Sequence, residues 1–177
     1  MKLHEIFKPV EHSVSNVMHP QPETVKEFDC AGVKLTSLEG SPTTVLGEFD
    51  CQDNELTSFK GGPKTVGHHV MADGNMISSL EGFPREVGSF VSIENNHLTS
   101  LHNIHKFIPK MAGMLYLRNN KIVSHVLGIL LIDGLTICLL GNRDVQSIIN
   151  KHLKGERDVF ACQEELIEAG FEEFAQL

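Results

Sequence analysis

From Leu56 to Val66 the chain reads Leu-Thr-Ser-Phe-Lys-Gly-Gly-Pro-Lys-Thr-Val, and the same skeleton returns 21 residues to either side. Leu35, Leu56, Ile77 and Leu98 share one position of the period. Leu38, Phe59, Leu80 and Leu101 share another, followed by Gly40, Gly61 and Gly82, by Pro42, Pro63 and Pro84, and by Val45, Val66 and Val87. Asn54, Asn75 and Asn96 keep the step, and Asn120 follows after a three-residue insertion. A fixed period in the range of about 20–29 residues marks a solenoid, in which each unit buries its apolar side against the next.

Each unit contains the pattern apolar-x-apolar-x-x-Asn-x-apolar: Phe49, Cys51, Asn54, Leu56; Val70, Ala72, Asn75, Ile77; Val91, Ile93, Asn96, Leu98; Leu115, Leu117, Asn120, Ile122. The first copy, Phe28, Cys30, Val33, Leu35, has Val where the others have Asn. Alternation of period two predicts a short strand with one side inward. The Asn is placed to satisfy backbone groups at the tight turn, and Gly and Pro then turn the chain across the back. This back is expected to be extended or turned, since it is too short and too rich in Gly and Pro for long helices.

The pattern resembles the leucine-rich repeat Leu-x-Leu-x-x-Asn-x-Leu of the short bacterial type, and also repeats of proteins encoded by large tailed phages. The resemblance covers a little over half the chain. It implies an α/β solenoid, a short parallel β solenoid with a helical C-terminal cap. Residues 27–125 are assigned to the repeats and 1–26 to an N-terminal cap. Residues 126–177 are assigned to a final rung, Leu130, Ile132, Leu135 and Ile137, followed by helices. Asn142 and Asp158 are the expected N-caps, and Gly155 and Gly170 the expected stops. The irregular stretch His102 to Gly113 has room for one helical turn.

The 177 residues carry a formal charge of −8. That balance argues against a sequence-independent grip on nucleic acid and against an anionic membrane as partner. The most apolar run, Val126 to Leu140, is short for a membrane span and contains Asp133. No basic-then-apolar start is present, and the four cysteines include no Cys-x-x-Cys. Cys30 and Cys51 fall at inward positions, so reduced core thiols and a cytoplasmic protein are expected (host cytoplasm if the phage context holds).

The strand register sends Glu27, Asp29, Ala31; Glu48, Asp50, Gln52; His69, Met71, Asp73; Phe90, Ser92, Glu94; and Met114, Tyr116, Arg118 outward. One end of that face is acidic. The other carries Met71, Phe90, Met114 and Tyr116, the only tyrosine of the chain. Grouped Met and aromatic side chains on a rigid sheet are what a protein-binding hot spot requires. The binding residues expected are therefore Met71, Phe90, Met114, Tyr116, Arg118, His69, Asp50, Asp73 and Glu94, with Asn54, Asn75, Asn96 and Asn120 as a structural ladder.

No nucleophile–base pair, phosphate loop or metal set emerges. His68-His69 and His102-x-x-His105 lack a third ligand. Bacterial secreted ubiquitin ligases pair similar repeats with a catalytic Cys-x-Asp in a separate domain. Cys51-Gln-Asp53 has that spelling but lies inside a repeat, and the tail is too short for such a domain. The expectation is a non-enzymatic module without cofactor that binds a protein. The phage resemblance implies a bacterial host or defence protein as target; a structural role through self-association by the same surface is one alternative, and an enzyme with an unrecognised site, in a pocket between the insertion and the C-terminal helices, is the least favoured.

Overall fold

The computed structural model describes residues 20–177. The N-terminal cap assigned from sequence lies, as far as residues 1–19 are concerned, outside the described residues. The described chain winds into a parallel β-solenoid of about six turns, closed at its C-terminal end by two helices.

Each turn contributes two short strands separated by a bend. The first ladder contains β1 (Thr24–Val25), β3 (Thr44–Val45), β5 (Thr65–Val66) and β7 (Glu86–Val87). The second contains β2 (Phe28–Asp29), β4 (Phe49–Asp50), β6 (Val70–Met71) and β8 (Val91–Ser92). β9 (Lys110–Tyr116) and β10 (Asp133–Leu139) run straight through the bend and join both ladders into one ten-stranded sheet. All pairings are parallel and hold the repeat in register, Phe28 beside Phe49, Phe49 beside Val70, and Val70 beside Val91. The returning valines therefore build a ladder of their own, a more regular back than Gly and Pro suggested.

Stacked identical positions make a continuous core. Phe49, Cys51, Leu56 and Phe59 are fully buried, as are their counterparts Val70, Ala72 and Ile77 in the next turn. Phe28 and Phe49 stack at 5.7 Å, and Phe59 meets Phe83 edge-on at 4.8 Å. The asparagines of the repeat, buried at positions 54, 75 and 96, stitch successive turns together. Asn54 Oδ1 accepts from the Leu35 amide at 2.8 Å, and its Nδ2 donates to Cys30 O at 2.9 Å. Asn75, Asn96 and Asn120 repeat this, accepting from Leu56, Ile77 and Leu98 of the preceding turn. A side-chain amide thus carries the ladder across the corner, where backbone pairing stops. One serine position of the repeat has a local role: Ser37, Ser58 and Ser79 each accept from the amide two residues on and tighten the next corner.

The insertion forms α1 (Ile104–Phe107), with Ile104 buried. A 3-10 turn (Leu127–Leu131) then leads into β10. Here one sequence expectation needs correction. Ile137 was assigned to the core rung, but it faces outward and is half-buried, while Cys138 is buried. The register of β10 against β9 shifts on both sides of Leu135, next to Gly134 at φ +75°. An extra residue in a strand reverses the side each later residue faces.

Asn142 caps α2 (Arg143–Lys154) by accepting from the Asp144 and Val145 amides, and Asp158 caps α3 (Val159–Glu168) in the same way. α2 lays Val145, Ile149 and Leu153 over the last turn. Its Asn150 pairs with both the amide and the carbonyl of Cys138, each at 2.8 Å. Arg157 donates to the carbonyls of Ile132 and Leu135. The final sheet edge is thereby closed with side-chain groups that imitate another strand, which blocks continued edge pairing. No helix among the described residues is long and apolar enough to cross a membrane.

Candidate functional site

Along the second ladder every other residue faces away from the core, and parallel stacking lines these residues up in columns about 4.8 Å per turn. One column runs Asp29, Asp50, Met71, Ser92, Tyr116, Leu139. Beside it lie Glu48, His69, Phe90, Met114 and Ile137, the last two paired in register. The fold thus brings the sequence-derived candidates onto one face.

The apolar half is a contiguous cluster. The His69 ring stacks on Phe90 at 4.0 Å with 19° between planes. Phe90 meets Tyr116 at 5.8 Å, edge to face, and the Tyr116 hydroxyl donates toward Met114 Sδ at 3.5 Å. Met71, Phe90, Met114 and Tyr116 are all half-buried, so neighbours hold each ring while one side stays open. Ring pairs of this geometry fix one another's rotamers, which lowers the entropy lost on contact with a partner. Ile137 and Leu139, also half-buried, extend the cluster by one turn. The sequence reading missed both, because the bulge hid their side; Gly134 inside a strand was the available clue.

The other candidates differ in how free they are. Arg118 is exposed and stands 4.0 Å from Glu94. Asp73 is committed to structure: its Oδ1 accepts from Ser92 Oγ at 2.7 Å and from the Glu94 amide at 2.6 Å. Ser92, placed outward by the alternation, is 8% exposed and is spent on that bond. Glu48 lies 3.8 Å from His69 Nε2, where the acidic half meets the rings.

Asp29 and Asp50 stand directly opposite each other on paired strands, an arrangement that costs stability for like charges. Burial raises the Asp50 carboxyl above its ordinary range, and repulsion from Asp29 and Asp53 adds to this against the hydrogen bonds from Gln52. A carboxyl with a raised folded-state value binds more protons folded than unfolded, so its contribution to stability falls as pH rises above about 4. Asp50→Asn keeps the acceptor for the Gln52 amide and removes the charge. Its melting temperature should exceed that of the wild type at pH 7, with the gain vanishing below about pH 4. Equal melting at both pH values would show that the ladder of acids is not under strain.

All four cysteines are buried and unpaired. Burial raises the Cys30, Cys51 and Cys138 thiols and pushes Cys162 up to about 12, which keeps them protonated and unreactive. Among the described residues no group of three or more His, Cys, Asp or Glu is arranged to hold a metal ion. No family model matches the chain, and no curated protein or solved structure proved similar to it.

Proposed function

We propose that this chain is a non-enzymatic, leucine-rich-repeat protein-binding module that docks a folded partner on the outward face of its second ladder. The observation that carries the reading is the half-open cluster His69, Phe90, Met114 and Tyr116, braced on stacked strands and bordered by acids. An aromatic anchor with a charged border is the anatomy of a binding hot spot. The resemblance to phage-encoded repeats supports a bacterial host or defence protein as the target, with inhibition by occlusion as the outcome.

The test is affinity capture from bacterial lysate with the wild type and with Phe90→Ala/Tyr116→Ala. One stoichiometric partner should be retained by the wild type. The double variant should weaken that complex by about a hundredfold, while its melting temperature stays within about 4 °C. Absence of a partner, or a variant that retains it, overturns the proposal. A variant that unfolds shows instead that the rings are covered structure.

A further inference from the structure

A second feature lies away from this face, at the corner that precedes the first ladder. Lys64 and Arg85 occupy the same position of successive turns, the Arg85 amide donating to Lys64 O at 2.9 Å. α1 brings Lys106 alongside them. Together with Ser41, Thr43, Gly61, Gly62, Gly82, Phe83 and Phe107 they line one cleft of about 550 Å³.

The charge pattern of this cleft is unlike that of the surface next to it. The column Glu39, Lys60, Glu81 alternates in sign, as a solvated face does when stacked charges offset each other. The cleft has three cations and no carboxylate in its lining. None of the three is within 4.0 Å of an acid among the described residues, where the ion pairs belong to His69, Arg118, Lys151 and His152. In a chain of net charge −8, three cations gathered around one concavity make a local positive site that suits an anionic ligand. Their chemistry selects the ligand. Arg85 can hold a phosphate through two parallel hydrogen bonds, the two lysines supply point charges, and the hydroxyl of Thr43 adds a short donor. Lys64 and Arg85 are one turn apart, about 4.8 Å, which suits adjacent phosphates of one molecule better than a single phosphate. Phe107 forms part of the wall and is 36% exposed, which offers a planar group a surface.

We infer that this cleft binds a small oligophosphate, either free or as part of a nucleotide. Binding here is independent of the protein-docking face, which lies over the second ladder.

Isothermal titration at about 50 mM salt, with tripolyphosphate, a nucleoside triphosphate and inorganic phosphate as probes, tests the assignment. Tripolyphosphate or the nucleotide should bind at least about tenfold more tightly than inorganic phosphate. Lys64→Ala and Arg85→Ala should each weaken that binding about tenfold, and raising salt to about 300 mM should weaken it further. Lys60→Ala, one column away, should leave it unchanged. Nucleotide binding that exceeds tripolyphosphate and falls with Phe107→Ala assigns the nucleotide source; equal binding assigns the free oligophosphate. No heat with any probe at millimolar concentration, or binding that ignores Lys64 and Arg85, overturns the inference. Circular dichroism melting of each variant identifies any loss that comes from unfolding.

Discussion

Gly88→Ala is expected to cost about 4 kcal/mol of stability and to lower the melting temperature by about 10 °C, although it adds a single methyl group. The reason lies in the bend between the two ladders. A Cβ on Gly88 would sit 1.8 Å from the carbonyl oxygen of Gly67, and one on Gly67 would sit 2.0 Å from that of Leu46. Neither contact can be relieved by turning a side chain, because the obstacle is backbone. The carbonyl must move, and the bonds Gly88 N–H to Val66 O at 3.1 Å and Gly67 N–H to Val45 O at 2.8 Å move with it. The same column tolerates Leu46 and Ala112, where the step between turns has a different length: Thr44 pairs with Thr24 and Lys110 with Glu86, off the 21-residue spacing. Gly141→Ala, with nothing within 4 Å of the added carbon, is the control and should change stability by less than about 0.5 kcal/mol. Thermal melts of the two variants side by side decide the matter. If Gly88→Ala melts with Gly141→Ala, the turns do not stack at the spacing described.

That glycine column also shows where sequence reasoning stops. The period exposed the recurring positions at which a side chain enters the core, because burial imposes the same requirement on each turn, but not core residues outside it such as Phe83, Ile104 and Ile108. Leu56, Phe59, Val66 and Asn75 were readable for that reason. Asn142 and Asp158 were readable because capping is local chemistry. Gly67 and Gly88 were not recognised as a column, because their requirement comes from a backbone atom of the neighbouring turn, and Gly47 sits one register away from them. The outward side of Ile137 and Leu139 was hidden by the bulge beside Gly134. The fate of Asp73 was equally invisible: its place in the outward column is legible, but the two bonds it spends on Ser92 and Glu94 depend on side-chain rotamers. The cations of the corner cleft were in plain view at residues 64 and 85, yet only the fold adds Lys106 to them.

The two ends of the outward face of the second ladder follow opposite rules, and the contrast supports a role beyond folding. The apolar end gives up solvation for rings that pack on one another and still leave a side open. The acidic end sets Asp29 against Asp50 and raises the latter's carboxyl by burial. A face under selection for stability alone would alternate charges, as Glu39, Lys60 and Glu81 do. Strain retained at a surface is expected where a partner relieves it.

Asn75→Ala is the second substitution with a large expected effect, about 3 kcal/mol, and it acts by a different route. Asn75 is 5% exposed. Its Oδ1 accepts from the Leu56 amide at 3.0 Å, and its Nδ2 donates to Cys51 O at 2.9 Å and Ala72 O at 3.2 Å. Alanine leaves a buried donor and at least one buried carbonyl without partners, each costing about 1–3 kcal/mol. The loss falls on two turns at once, since Leu56 and Cys51 belong to the turn before. Hydrogen exchange should therefore show the Leu56 amide losing protection together with the amides of the following turn. Asn75→Asp separates the two halves of the interaction. The carboxylate can still accept from Leu56 but cannot donate to Cys51 O, so at pH 7 the variant should be no better than alanine. Once protonated it regains a donor, and its deficit relative to wild type should narrow as pH falls, whereas that of Asn75→Ala should stay constant. Asn120→Ala should cost less, about 1 kcal/mol, because Asn120 is half-exposed and water can replace part of what is lost. If all three variants melt like the wild type, the side-chain amides are ornaments on a ladder that backbone pairing already holds, and the physical basis of the repeat is wrong.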